Sequence, residues 1–135
     1  MAEELHIEEK HGFDNKDGIL ATFVEITNET SIEIGLTLNV GGALISGLAV
    51  SYEKYLKGIS ELFKGHGPGA EAFSKQFEDL AVESKKYAET KEVKSLPNYI
   101  HMENTKFIDA HGNIQELGYW RGKLTSIDGF IIGNK

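Results

Sequence analysis

The sequence predicts an α+β fold: a small, strongly bent antiparallel sheet or open barrel of about five strands, with an N-terminal helix and an inserted helical hairpin. Three observations predict it. Residues 32–40 alternate apolar and polar and are followed by Gly41-Gly42. Residues 51–89 then switch to helical spacing, and 99–133 return to short, glycine-punctuated runs rich in aromatic and β-branched residues. At 135 residues the chain has the length of one domain and needs no disulfide or metal to bury a core.

Taken in order, residues 1–13 are acidic and aperiodic and read as a flexible tail, with the α+β domain covering 14–135. Leu20, Phe23, Val24 and Thr27 recur at helical spacing, giving a helix over 16–28 capped by Asp14 or Asn15. A strand is the competing reading, because Thr22, Val24, Ile26 and Thr27 are β-branched. Ile32, Ile34, Leu36, Leu38 and Val40 then alternate with smaller or polar residues, as in a half-buried strand. Gly41-Gly42 supplies the positive φ of a tight turn into a second strand over 43–50, so 31–52 reads as a hairpin.

From Ser51 the period changes. Tyr55, Leu56, Ile59, Leu62 and Phe63 form one helical stripe. Gly65-His66-Gly67-Pro68-Gly69 ends that helix and opens the next, where Phe73, Phe77, Leu80, Ala81 and Tyr87 or Ala88 carry the stripe to about residue 89. A charged linker over 90–95 and Pro97 lead to a strand over 99–109. His111-Gly112-Asn113 turns the chain, and strands over 117–124 and 127–133 complete it, with Asp128-Gly129 near their junction. A helix followed by five strands resembles the Sm-like barrel, a likeness of fold that carries no function by itself.

Composition removes whole classes of function. There is no cysteine, which excludes disulfides, zinc ribbons and thiolate chemistry and fits a reducing cytoplasm. The net charge of −7 disfavours nucleic acid and anionic membranes as partners. The acidic N-terminus is unlike a signal peptide, and the apolar run 41–50 is too short to cross a bilayer.

No motif supplies a catalytic centre. His6, His11, His66, His101 and His111 show no metal-ligand spacing, so no metal or other cofactor is expected. Asp14-Asn15-Lys16-Asp17-Gly18 fails as a calcium loop in either register and reads as a capping turn. The glycine-rich 65–69 segment follows a helix and lacks the Lys-Ser/Thr ending of a phosphate loop. Ser46 has no nucleophile elbow, and Asp79 with Glu83 reads as a solvated helix face. Tyr119-Trp120-Arg121-Gly122-Lys123 is the most suggestive stretch. Trp120 belongs on the core side with Leu124, leaving Tyr119, Arg121 and Lys123 on the outer face as partner-binding candidates. The expected structural core includes Leu36, Leu38, Phe73, Phe77, Trp120 and Phe130.

Three segments together resemble the gas vesicle accessory protein GvpU family. They are Leu36-Thr-Leu-Asn-Val-Gly-Gly-Ala-Leu-Ile-Ser-Gly47, Tyr99-Ile-His-Met-Glu-Asn-Thr-Lys106 and Tyr119-Trp-Arg-Gly-Lys-Leu-Thr-Ser-Ile-Asp-Gly-Phe-Ile-Ile-Gly133. The likeness covers most of residues 17–133 and is weakest over 64–95. It implies a non-enzymatic cytoplasmic accessory protein linked to vesicle clustering, with itself and the vesicle shell or other gas vesicle proteins as partners. No catalytic residues are carried over. Two other readings stand beside it. One is a small-ligand-binding or hydrolytic enzyme whose site is assembled from distant residues such as His101, Asp109 and His111. The other is an Sm-like RNA-binding module, which the charge opposes.

Overall fold

A computed structural model describes residues 15–90 and 94–134. The expected tail, with His6 and His11, lies outside the described residues, as do Asp14 and positions 91–93 of the linker.

Helix α1 (Gly18–Thr30) is capped by Asp17, whose carboxylate accepts from the N–H groups of Ile19 and Leu20. The cap is therefore two or three residues later than expected. Asn15 has φ 52°, a turn conformation before the cap. Helix wins over strand because Leu20, Ala21, Val24 and Thr27 are buried together on one helical face. The chain leaves through Ser31, in the left-handed region, and enters strand β1 (Ile34–Val40). Gly41 and Gly42, both at positive φ, turn it into β2 (Ala43–Val50).

Ser51 caps α2 (Tyr52–Phe63) by accepting from Lys54 N–H. Pro68 opens α3 (Pro68–Glu89) at its first turn. Strands β3 (Tyr99–Ile108), β4 (Ile114–Lys123) and β5 (Gly129–Ile132) follow, with a 3-10 turn over Leu124–Ser126. All pairings are antiparallel, in the order β4-β3-β2-β1-β5. The sheet is not closed: β4 and β5 are its two edges. β4 starts three residues earlier than the sequence pattern suggests, because Ile114 pairs with Ile108 through the Asp109 turn. Positive φ at Asn104 and Gly118 marks irregular register between β3 and β4, and the buried Thr105 hydroxyl donates to Gly118 O there.

The sheet is covered on both faces. On one, α1 places Leu20, Ala21 and Val24 against Leu36, Leu38, Ile45, Ala49, Ile100 and Met102. Trp120 and Phe130 are half-buried at the margin of that core, Phe130 edge-on to Phe23. Gly122 sits beneath the Trp120 ring, since a Cβ there would lie 2.2 Å from Cη2. On the other face, α2 lies over β3 and β4 and carries α3 outside it.

The α2–α3 contact explains where the sequence pattern misleads. Its buried residues are Ser60 on α2 and Ser74 and Ala81 on α3, with the Ser60 hydroxyl donating to Ser74 O at 2.8 Å. Small residues let the helix backbones approach closely. Phe73, expected in the core, lies one position off that line and is 59% exposed. It packs on Phe63, as does the half-buried Phe77.

A glycine fixes how α2 sits on the sheet. A Cβ on Gly58 would stand 2.2 Å from the Tyr119 hydroxyl, so the ring fills the space a side chain would need. Glycine inside a helix costs about 1 kcal/mol relative to alanine, yet here alanine would evict Tyr119. Gly58→Ala should therefore destabilise by about 1–3 kcal/mol, the usual cost of overpacking. In a Tyr119→Ala background the same change should stabilise, by about 0.5–1 kcal/mol. Urea denaturation of the four proteins in this cycle checks the reversal of sign.

Candidate functional site

The register of the sheet sets up one cluster of chemically versatile side chains. Val50 pairs with His101 and His101 with Arg121, so the last two point to the face under α2. Because α2 starts immediately after β2, its first turn delivers Tyr52 and Tyr55 onto that row. Asn28 of α1 accepts from Tyr52 N–H at 2.9 Å, which ties the start of α2 to α1. The His101 ring lies between the two tyrosines, with both centroids at 4.6 Å and Tyr52 nearly parallel.

His101 is 4% exposed. Arg121 Nε–H donates to His101 Nε2 at 3.0 Å. An arginine donor is always protonated, so Nε2 supplies a lone pair and the ring proton resides on Nδ1. Among the described residues, Nδ1 is the one buried side-chain nitrogen or oxygen without a hydrogen-bond partner. Leaving such a donor unaccepted costs about 1–3 kcal/mol. Desolvation, followed by the neighbouring Arg121 charge, pushes the His101 pKa down to about 3. The imidazole is therefore neutral at physiological pH. Desolvation likewise raises Tyr55, which keeps its phenol protonated.

Arg121 lies with its guanidinium carbon 3.8 Å from the centre of the Tyr99 ring. It and His101 border a cleft of about 410 Å³ between α1, the C-terminal half of α3 and residues 94–99. Tyr52, Tyr87, Leu80, Leu96 and Pro97 supply much of the wall, and Glu25, Glu29 and Glu83 also line it. Lys94 is tied to the end of α3 through Ala88 O and Thr90 O, and lies 3.9 Å from Glu29. Lys16 anchors the segment from behind, donating to Asn98 Oδ1 at 2.9 Å.

The structure separates the three partner-binding candidates. Tyr119 is turned under α2, against Gly58 and edge-on to Tyr55. Arg121 is occupied at Nε but borders the cleft. Lys123 is exposed at the end of β4. The helix inserted between β2 and β3 folds back over part of the face they share, half-burying Tyr119 and leaving Arg121 and Lys123 exposed. The alternative constellation does not assemble. Asp109 and His111 lie in the β3–β4 turn, where the Asp109 carboxylate accepts from the N–H groups of His111 and Asn113. At about 3.3 Å per residue, that turn is roughly 25 Å along β3 from His101. What sequence reasoning missed is the tyrosine set around His101. Its only signal is the placement of Tyr52 and Tyr55 at the start of a helix that follows β2 directly.

The gas vesicle protein GvpU-like family model matches residues 17–135, nearly the whole chain, and the chain belongs to that family. Comparison with curated proteins gives no match.

The depressed His101 pKa has a consequence for stability. In the unfolded chain the ring titrates near its ordinary value of 6.5, so between that pH and about 3 the unfolded state binds more protons. Stability should fall as pH drops through this window and level off below it. His101 should contribute a loss of about 2 kcal/mol between about pH 7 and pH 5. His101→Phe should lack this component, measured by urea denaturation at both pH values. The wild-type His101 ring resonances should stay in the neutral form at about pH 5.

Proposed function

We propose that this member of the GvpU-like family is a non-catalytic cytoplasmic accessory protein that associates with itself and with gas vesicle proteins, and so draws vesicles together. Family membership supports the accessory role. The observation that carries the clustering part is the presence of large apolar side chains at two separate places on the exterior. On the helical hairpin, Leu62, Phe73 and Val82 are all more than half exposed. At the far edge of the sheet, β5 exposes Ile131 and Ile132, with no strand on its outer side among the described residues.

Clustering needs at least two binding surfaces per particle, since one surface gives only occupancy. The helical hairpin, with Phe73 and Val82 on opposite flanks of α3, and the β5 edge meet that requirement, and Lys123 at the opposite edge is a further candidate contact. Tyr119 serves inside the molecule instead. No described helix is long and apolar enough to cross a membrane. Neutral His101, with no carboxylate partner among the described residues, is poorly suited to general acid–base chemistry, in keeping with a binding role.

Co-flotation with purified gas vesicles, beside light scattering of the free protein, tests the reading. The wild-type chain should rise with the vesicles and scatter above monomer mass. Leu62→Glu with Phe73→Glu should weaken vesicle association at least about tenfold, the scale of losing a buried apolar contact. Ile131→Lys should reduce self-association. A monomer that stays in the subnatant would overturn the proposal.

A further inference from the structure

His101 is an expensive choice for its position. A phenylalanine would stack between Tyr52 and Tyr55 equally well and would leave no donor unaccepted in the interior. What the imidazole adds is the Nε2 lone pair, and that lone pair holds Arg121. Arg121 is thus fixed twice, at Nε by His101 and across its plane by Tyr99. Among the described residues, no carboxylate pairs with it. Among those residues its terminal nitrogens have no acceptor, and the orientation of the side chain is already set.

A guanidinium held rigid, with no carboxylate on it among the described residues, has the standard geometry for gripping a planar two-oxygen group. The cleft it borders is of small-molecule size and is walled by aromatic and aliphatic side chains, which suit an apolar body. Glu25, Glu29 and Glu83 share the lining with Lys94, which lies 3.9 Å from Glu29, and on a chain of net charge −7 they repel a multiply charged anion more strongly than a singly charged one.

From this arrangement we infer that the cleft is a binding site for a small organic monocarboxylate, with Arg121 contacting the carboxylate and His101 and Tyr99 acting as positioning residues. The tyrosines and the Leu80, Leu96 and Pro97 wall receive the apolar part of the acid. This assignment is independent of vesicle clustering.

The test is an NMR titration of the full ¹⁵N-labelled chain with benzoate and hexanoate, with benzamide and inorganic phosphate as controls. At least one of the two acids should give saturable shifts at Tyr99 and at the Arg121 Nε–H, and benzamide and phosphate should bind at least about tenfold more weakly. Arg121→Lys keeps the charge but loses the planar fork, and should weaken the acid at least about tenfold. His101→Phe should weaken it similarly while melting at or above the wild-type temperature, an outcome that a merely structural histidine would not give. The assignment is overturned if neither acid binds, if benzamide or phosphate matches the acid, or if either variant binds as well as the wild type.

Discussion

Strands β2 and β3 run through the middle of the sheet with neighbours on either side, and residues of both faces are buried in each. Such strands need cover on two sides, and much of the architecture follows from that need. One cover, α1, precedes the sheet and packs with ordinary apolar residues. The other, α2, is inserted between β2 and β3 and must begin where β2 ends. Its first turn is therefore committed to the row occupied by His101 and Arg121. That connection creates the aromatic cluster.

The two covers meet the sheet by different chemistry. Under α1 the contacts are Leu, Val, Ile and Met, stabilised by removal of apolar area from water. Under α2 they are tyrosines, a neutral histidine and an arginine, in which burial has to be reconciled with polar atoms one at a time. Ser51 caps its own helix, Arg121 donates to His101, and Tyr119 fits over a glycine. The outward side of α2 then receives α3 through Ser60, Ser74 and Ala81. The ion pairs of Lys54 with Glu33 and Glu103, which raise the Lys54 pKa, join α2 to the sheet at its exposed margin. Their exposure limits them to a small contribution.

Most elements were legible in the sequence because their signals are local. Alternation gave β1, paired glycines gave the turn, Ser51 and Pro68 marked helix starts, and the two helices of the hairpin fall where the periodicity put them. The losses are nonlocal. Phe73 reads as core because large apolar residues dominate a helical stripe, but close helix contact here uses serine and alanine. Tyr119 reads as external because alternation along a strand identifies two faces without saying whether a second layer covers the outer one, whereas Arg121, on the same face, is exposed. Asp17, rather than Asp14 or Asn15, caps α1, and neighbouring polar residues offer no local means of choosing among them. Trp120 reads as core, and it lies at the core's margin because β4 is an edge strand. The cleft was not legible at all. It joins residues from α1, α3, the 94–99 segment and two strands, and only the packed fold brings them together.

Net charge and exposed apolar surface pull in opposite directions, and the balance bears on how association would work. A charge of −7 on a chain of 135 residues makes two copies repel at long range. The few exposed apolar side chains act only at contact and offer too little area to hold an obligate dimer, whose interface usually exceeds about 2,000 Å². A single encounter is thus weak and reversible. If many copies gather on one vesicle, as proposed, the arithmetic changes, because each contact after the first is then made at high effective concentration. Screening by salt shortens the repulsion to about 8 Å at physiological ionic strength, leaving the contact term intact. Weak single contacts multiplied on a surface give clustering that depends on surface density, whereas a strong single contact would aggregate the free protein before it reached a vesicle. The few exposed apolar side chains and the acidic surface of this chain fit the former regime.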